Sequence, residues 1–110
     1  MFLYPHWPAP SQIKACTTLR AFGDLKQMSD RLRLQETLAL PHEPIWLQQV
    51  HGNIIVEATD AHRHQSADAS FTNQPTQVCA VMTADCLPLL LCDPNTLQIA
   101  AIHAGWRGLA

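Results

Sequence analysis

Three residues with donor atoms suited to a metal ion sit at strand ends beside a glycine or an acid. They are His51 in Val50-His51-Gly52, Cys86 in Ala84-Asp85-Cys86, and His103 in Ile102-His103-Ala104-Gly105. Strand ends along one edge of a sheet are where a rigid scaffold displays side chains for chemistry. Brought together there, two imidazoles and a thiolate give an ion three protein ligands and leave a fourth position for water, as in a catalytic zinc site. Water on such an ion ionises near neutrality and becomes a nucleophile. The same donors accept copper, whose intrinsic affinity is higher, so ligand type leaves both metals open. The three residues are far apart in sequence. In the competing reading His51 and His103 are hydrogen-bonded turn residues and Cys86 is a buried thiol.

Gly105-Trp106-Arg107-Gly108 has the form of a strand-to-helix turn. Backbone N–H groups at a helix start, next to an arginine fork, favour an anion such as phosphate. Against that, Arg107 suits a surface ion pair and Trp106 a core anchor. His62 and His64 fall in a polar stretch with no further ligand nearby and read as solvated loop residues. The four cysteines, Cys16, Cys79, Cys86 and Cys92, stay thiols in a cytosolic protein. Cys79 and Cys92 lie in apolar runs, where a thiol behaves as a small hydrophobe.

A chain of 110 residues, 47% hydrophobic and 15% charged, has the size and composition of a single folded domain. With 7 Lys+Arg against 9 Asp+Glu and a net charge of -2, it carries too little positive charge to follow a phosphate backbone, so nucleic acid is not expected as a partner. The longest apolar runs are too short to span a bilayer. The first 15 residues have no basic cluster, apolar core and cleavage site in succession, so a cytoplasmic location is expected.

The elements that must position these side chains follow from pattern. Pro5, Pro8 and Pro10 make the first 11 residues an extended lead-in, and residues 13–19 read as a short strand. A helix is predicted over residues 29–40, with Ser29 as N-cap, Pro41 as stop, and Leu34 and Leu38 one turn apart. Residues 45–50 and 53–57 read as strands joined at Gly52-Asn53, forming a hairpin or one sharply bent strand. Residues 78–83 and 87–92 carry apolar side chains on both parities and are expected to be strands buried on both faces. Asp93-Pro94-Asn95 is a turn, and residues 97–102 form the strand that delivers His103. The strand-turn-helix unit stops at Ala110 with its helix barely begun. A longer protein, or a surface supplied by a partner, is therefore expected to cover the last strand.

Four motifs in order, Gln49-Val50-His51-Gly52, Ala67-Asp68-Ala69, Thr83-Ala84-Asp85-Cys86-Leu87-Pro88 and His103-Ala104-Gly105-Trp106-Arg107-Gly108, resemble the YfiH-like laccase-domain family. The likeness is continuous over residues 45–110 and faint around Cys16-Thr17-Thr18-Leu19-Arg20. A glycine-rich stretch and an S-L-N-L-G-like segment usual after Arg20 are replaced by Ala21-Phe22-Gly23-Asp24-Leu25. The resemblance implies an α+β fold with mixed sheets between helical layers, of which residues 1–110 are the amino-terminal portion. It also implies a metal held by His51, Cys86 and His103, zinc or alternatively copper.

The function so implied is purine nucleoside processing. It comprises phosphorolysis of adenosine, inosine, guanosine and methylthioadenosine, and deamination of adenosine. Asp85 would carry a proton next to Cys86, and Arg107, together with Arg20, would hold phosphate. Two other readings stand beside it. One is copper-dependent oxidation of phenols at the same site. The other is an interaction module, inactive alone and completed by a second copy or by a missing carboxy-terminal half.

Overall fold

Along the chain the elements are β1 (Phe2–Leu3), β2 (Thr17–Thr18), a 3-10 turn at Arg20–Phe22, α1 (Met28–Thr37), β3 (Ile55–Glu57), a 3-10 turn at Asp60–His62, β4 (Ala69–Thr72), β5 (Leu87–Asp93) and β6 (Gln98–Ala104). The structure is a computed structural model and describes residues 2–83 and 87–104. β1 and β2 form an antiparallel ribbon. The other four strands make one sheet in the order β3-β4-β6-β5. β3 runs parallel to β4, and the remaining pairs are antiparallel. This mixed sheet with its helix is the α+β fold that the motifs imply. Among the described residues no helix is long and apolar enough to cross a membrane.

The β5-β6 hairpin closes where the chain predicts a turn. The Asn95 N–H donates to Asp93 Oδ1 at 2.9 Å, the Leu97 N–H donates to the Asp93 carbonyl at 2.8 Å, and Leu97 takes the left-handed conformation at φ 59°. Pro88 has no N–H to give to a ladder, and its strand lies at the sheet edge. His103 belongs to β6 itself and pairs with Pro88, so it is part of the ladder and does not follow it.

The helix differs from its prediction at both ends. Its N-cap is Gln27, without a side-chain cap hydrogen bond, which leaves Ser29 inside the first turn. It stops at Thr37, ahead of Pro41. Ala39 adopts φ 49°, its N–H donates to the Glu36 carbonyl at 3.2 Å, and the Leu40 N–H reaches the Gln35 carbonyl at 3.0 Å. That is a Schellman ending with alanine where glycine is usual, which is why the sequence does not announce it. Leu34 is buried, and Leu38 packs against the same cluster, as their spacing predicts.

Residues 45–50 are extended but form no strand ladder. Isolated parallel bridges join Ile45 to Cys79 and Gln48 to Ser66, one on each side. Alternation along this segment divides the interior in two. Ile45 and Leu47 join Val56, Ala58 and Ala67, with Cys79 packed against them, whereas Trp46 joins Phe22 and Leu34 on the other side. The expected hairpin of residues 45–57 is absent, because β3 pairs with β4, a strand the sequence reading leaves unassigned. Residues 13–19 contribute only β2, and residues 78–83 only the bridge at Cys79. β5 is not buried on both faces, since Leu91 is 52% exposed.

One side chain ties the 45–50 segment to the stretch leading toward Cys86. The Gln49 Nε2–H donates to the Met82 carbonyl at 2.7 Å, and the Met82 N–H donates to Gln49 Oε1 at 2.6 Å. The amide thus acts as a missing strand neighbour for residue 82.

Two outcomes follow. Ile45→Ala, at a fully buried site, should cost about 2–5 kcal/mol in a urea titration, whereas Leu32→Ala, 53% exposed on α1, should stay within about 0.5 kcal/mol. Gln49→Ala should cost about 1–3 kcal/mol and raise deuterium exchange at the Met82 amide about tenfold or more. An unchanged exchange rate would show that the amide pair holds nothing in place.

Candidate active site

Directly ahead of β4 the chain places Asp68, an acid among alanines, only 2% exposed. The antiparallel register of β4 and β6 sets Ala69 opposite Ile102, so Asp68 falls opposite His103. The His103 N–H donates to the Asp68 carbonyl at 2.7 Å, and the Asp68 N–H donates to the Ile54 carbonyl at 3.1 Å. Cross-strand partners share a face of the sheet. Here the side chains meet as well, with His103 Nδ1 2.8 Å from Asp68 Oδ2.

The same carboxylate gathers three consecutive backbone N–H groups. Val50 and Gly52 donate to Oδ1, each at 3.0 Å, and His51 donates to Oδ2 at 2.9 Å. Successive N–H groups converge in this way only around a concavity in the backbone. His51 supplies the bend at φ 60°. The sequence assigns that turn to Gly52, yet a Cβ there would meet Val50 Cγ2 at 3.6 Å and Asp68 Oδ1 at 3.9 Å, which is ordinary contact. Burial pushes the Asp68 carboxyl up, but the hydrogen bonds from Gly52, His103, Val50 and His51 outweigh it and hold the group below its usual range.

This clamp brings two of the sequence-selected histidines together. The His51 and His103 rings lie edge to face, with centroids 5.0 Å apart and planes at 70°. Two imidazoles bound to one tetrahedral ion at about 2.0–2.1 Å have centroids roughly 5 Å apart, so the spacing fits a shared metal. His103 is 6% exposed and His51 lies open to solvent. With Nδ1 committed to a carboxylate that can only accept, the neutral His103 ring carries its proton on Nδ1 and its lone pair on Nε2.

Asp85, Cys86 and Arg107 lie outside the described residues, and so does the Gly105-Trp106-Arg107-Gly108 turn. Among the described residues no set of three His, Cys, Asp or Glu side chains is arranged to hold a metal, since Asp68 is turned toward His103 and the 50–52 backbone. Arg20 is exposed in its 3-10 turn, and among the described residues no hydrogen bond or ion pair joins it to Asp68 or His103. His62 is tied to its own loop, with Nδ1 2.7 Å from the Glu57 carbonyl, and His64 is exposed. Cys16, Cys79 and Cys92 are free thiols, and burial pushes Cys16 and Cys79 up.

Asp68 and Gln49 are the residues whose roles the sequence reading misses, although both stand in motifs it quotes. A signal was present for Asp68. An acid inside Ala67-Asp68-Ala69-Ser70, where small residues leave it little room to reach solvent, is tolerable only if something ionic or hydrogen-bonding meets it.

Residues 23–110 match the family described as multi-copper polyphenol oxidoreductase laccase. Purine nucleoside phosphorylase PA4543 of Pseudomonas aeruginosa is 43% identical over 125 residues, covering 99% of this chain and 51% of that protein. Purine nucleoside phosphorylase YfiH of Escherichia coli (strain K12) is 40% identical over 126 residues, covering 97% of this chain and 52% of that protein. The crystal structure of Neisseria meningitidis protein NMB0706 superposes with a TM-score of 0.83 at 36% identity, covering 98% of this chain and 52% of that one. The chain therefore spans about half the length of the relatives it matches, and it belongs to the multi-copper polyphenol oxidoreductase laccase family.

Proposed function

We propose that His51, Cys86 and His103 hold one zinc ion in an enzyme that processes purine nucleosides. The observation that carries this reading is the pairing of the two imidazoles with centroids 5.0 Å apart, one of them held at Nδ1 by a buried carboxylate so that Nε2 is the nitrogen left for an ion. Placement of the flanking chain supports Cys86 as the third ligand. Gln49 holds residue 82 beside the turn that carries His51, and Leu87 of β5 is paired with Ala104, next to His103. The chain entering the segment that bears Asp85 and Cys86 is thus tied to Gln49, two residues before His51, and the chain leaving it is paired beside His103.

A zinc ion bound there would supply Lewis acidity toward water or a polar substrate atom. In phosphorolysis, a phosphate oxygen bonds to C1′ of the ribose while the bond from C1′ to the purine nitrogen breaks, and the base departs with that electron pair and takes up a proton. Arg107 would hold the phosphate by its guanidinium fork. In deamination, water adds at C6 of adenine and ammonia leaves, with Asp85 returning a proton to the departing nitrogen. The names of the relatives favour phosphorolysis as the principal activity.

Cys86→Ala in the intact enzyme should abolish stoichiometric zinc, measured by mass spectrometry on protein purified without added metal. Inosine phosphorolysis should fall at least about a hundredfold, and adenosine deamination should fall with it. Full turnover without metal would overturn the proposal. Stoichiometric copper with rapid phenol oxidation and inert nucleosides would replace it with the oxidase reading.

A further inference from the structure

We infer that Asp68 is a positioning residue for the metal site, setting both the tautomer of His103 and the backbone conformation of His51 before any ion arrives. The inference deepens the zinc reading and rests on it for its metal arm, while its tautomer arm stands on this chain alone.

Among the described residues the Asp68 carboxylate accepts four contacts, and all lead to ligand-bearing segments. Oδ2 takes the His103 ring and the His51 N–H, and Oδ1 takes the Val50 and Gly52 N–H groups. Its own backbone is fixed on both sides, by Ile54 of the segment entering β3 and by His103 of β6. With its backbone in the ladder and four donors on its carboxylate, the side chain is held in one orientation. The ligands take their orientation from it. Two consequences follow from donor and acceptor inventory. A carboxylate facing an imidazole accepts its N–H, so Nε2 is left as the donor to an ion. Three N–H groups converging on one anion also stabilise the left-handed turn at His51, a conformation that costs a non-glycine residue free energy on its own.

Asn at this position has nearly the same shape with different hydrogen-bond chemistry. Its oxygen can keep accepting from Val50 and Gly52, but its NH2 would face the His51 N–H and His103 Nδ1, so the neutral imidazole is driven to carry its proton on Nε2. Asp68→Asn should therefore reverse the tautomer and weaken zinc binding about 10–100-fold.

The test uses the purified protein in wild-type and Asp68→Asn forms, stripped of metal and held at alkaline pH, with 15N chemical shifts of the His103 ring as the tautomer readout. Competition with a chromophoric chelator gives zinc affinity per folded molecule. The expected result is Nδ1–H in the wild type and Nε2–H in the variant, with the affinity loss above. A variant that is less stable but keeps the wild-type tautomer, and binds zinc within about twofold, overturns the inference. If the variant does not fold, the wild-type spectrum still decides, because Nε2–H there refutes the orienting role outright. Wild-type protein that shows Nδ1–H yet binds no zinc overturns the metal reading and leaves the tautomer assignment standing.

Discussion

The structure depends on how a buried carboxylate is kept ionised. Removing an isolated carboxylate from water costs several kcal/mol or more, and a native structure tolerates it only where hydrogen-bond donors replace the lost hydration. Around Asp68 four donors do so at 2.8 to 3.0 Å, enough to hold the acid below its ordinary range despite its burial. Three of them are consecutive backbone N–H groups, and they converge only because His51 turns left-handed. The bend carries a strain of about 1–3 kcal/mol, comparable to what one or two charge-assisted hydrogen bonds contribute. The turn and the anion are therefore mutually dependent, and neither conformation would persist alone.

Register is what delivers the carboxylate to its donors. In a strand pair, slipping by one residue moves every side chain to the opposite face. With Ala69 fixed against Ile102 and Ile55 against Ala69, Asp68 is placed between Ile54 and His103. The inward face, with Val56, Ser70, Thr72, Ala101 and His103 buried, locks that register through packing. The helix supports the arrangement at longer range. Arg31 lies over the Trp46 ring at 4.6 Å, donates from Nε to the Leu25 carbonyl at 2.6 Å, and reaches Met82 Sδ at 3.9 Å. Met82 is the residue that Gln49 grips, so α1 is coupled through packing to the segment entering residues 84–86.

Much of this was legible in the chain. The β5-β6 hairpin could be read because Asp93-Pro94-Asn95 has strong turn chemistry between two apolar runs. His51 and His103 stood out because each interrupts an apolar run beside small residues. What escaped was non-local or lacked a local marker. β4 is four residues long, with Ser70 and Thr72 among its buried positions, so it shows no apolar alternation to announce it. The segment 45–50 is apolar enough to read as a strand yet serves as a partition between two clusters, with Ile45 and Leu47 in one and Trp46 in the other, and only isolated bridges along it. A sequence pattern reports which side chains face apart, and says nothing about whether a ladder forms. The helix end escaped because its left-handed residue is Ala39, where alanine gives no hint of the conformation.

The two histidines are held differently, and the difference bears on what the site can do. His103 lies within the sheet, buried, with ring and backbone both tied to Asp68. His51 is bound to the same carboxylate through its N–H and presents its ring at the exposed side. A site with one wall set in the sheet and the other on a turn open to solvent has a rigid reference atom and an accessible approach. Catalytic metal sites need both, since the ion must be held in fixed geometry while one coordination position stays open to the reactant. A single buried anion thus organises the rigid wall and the open one together, through the His103 ring and the His51 N–H.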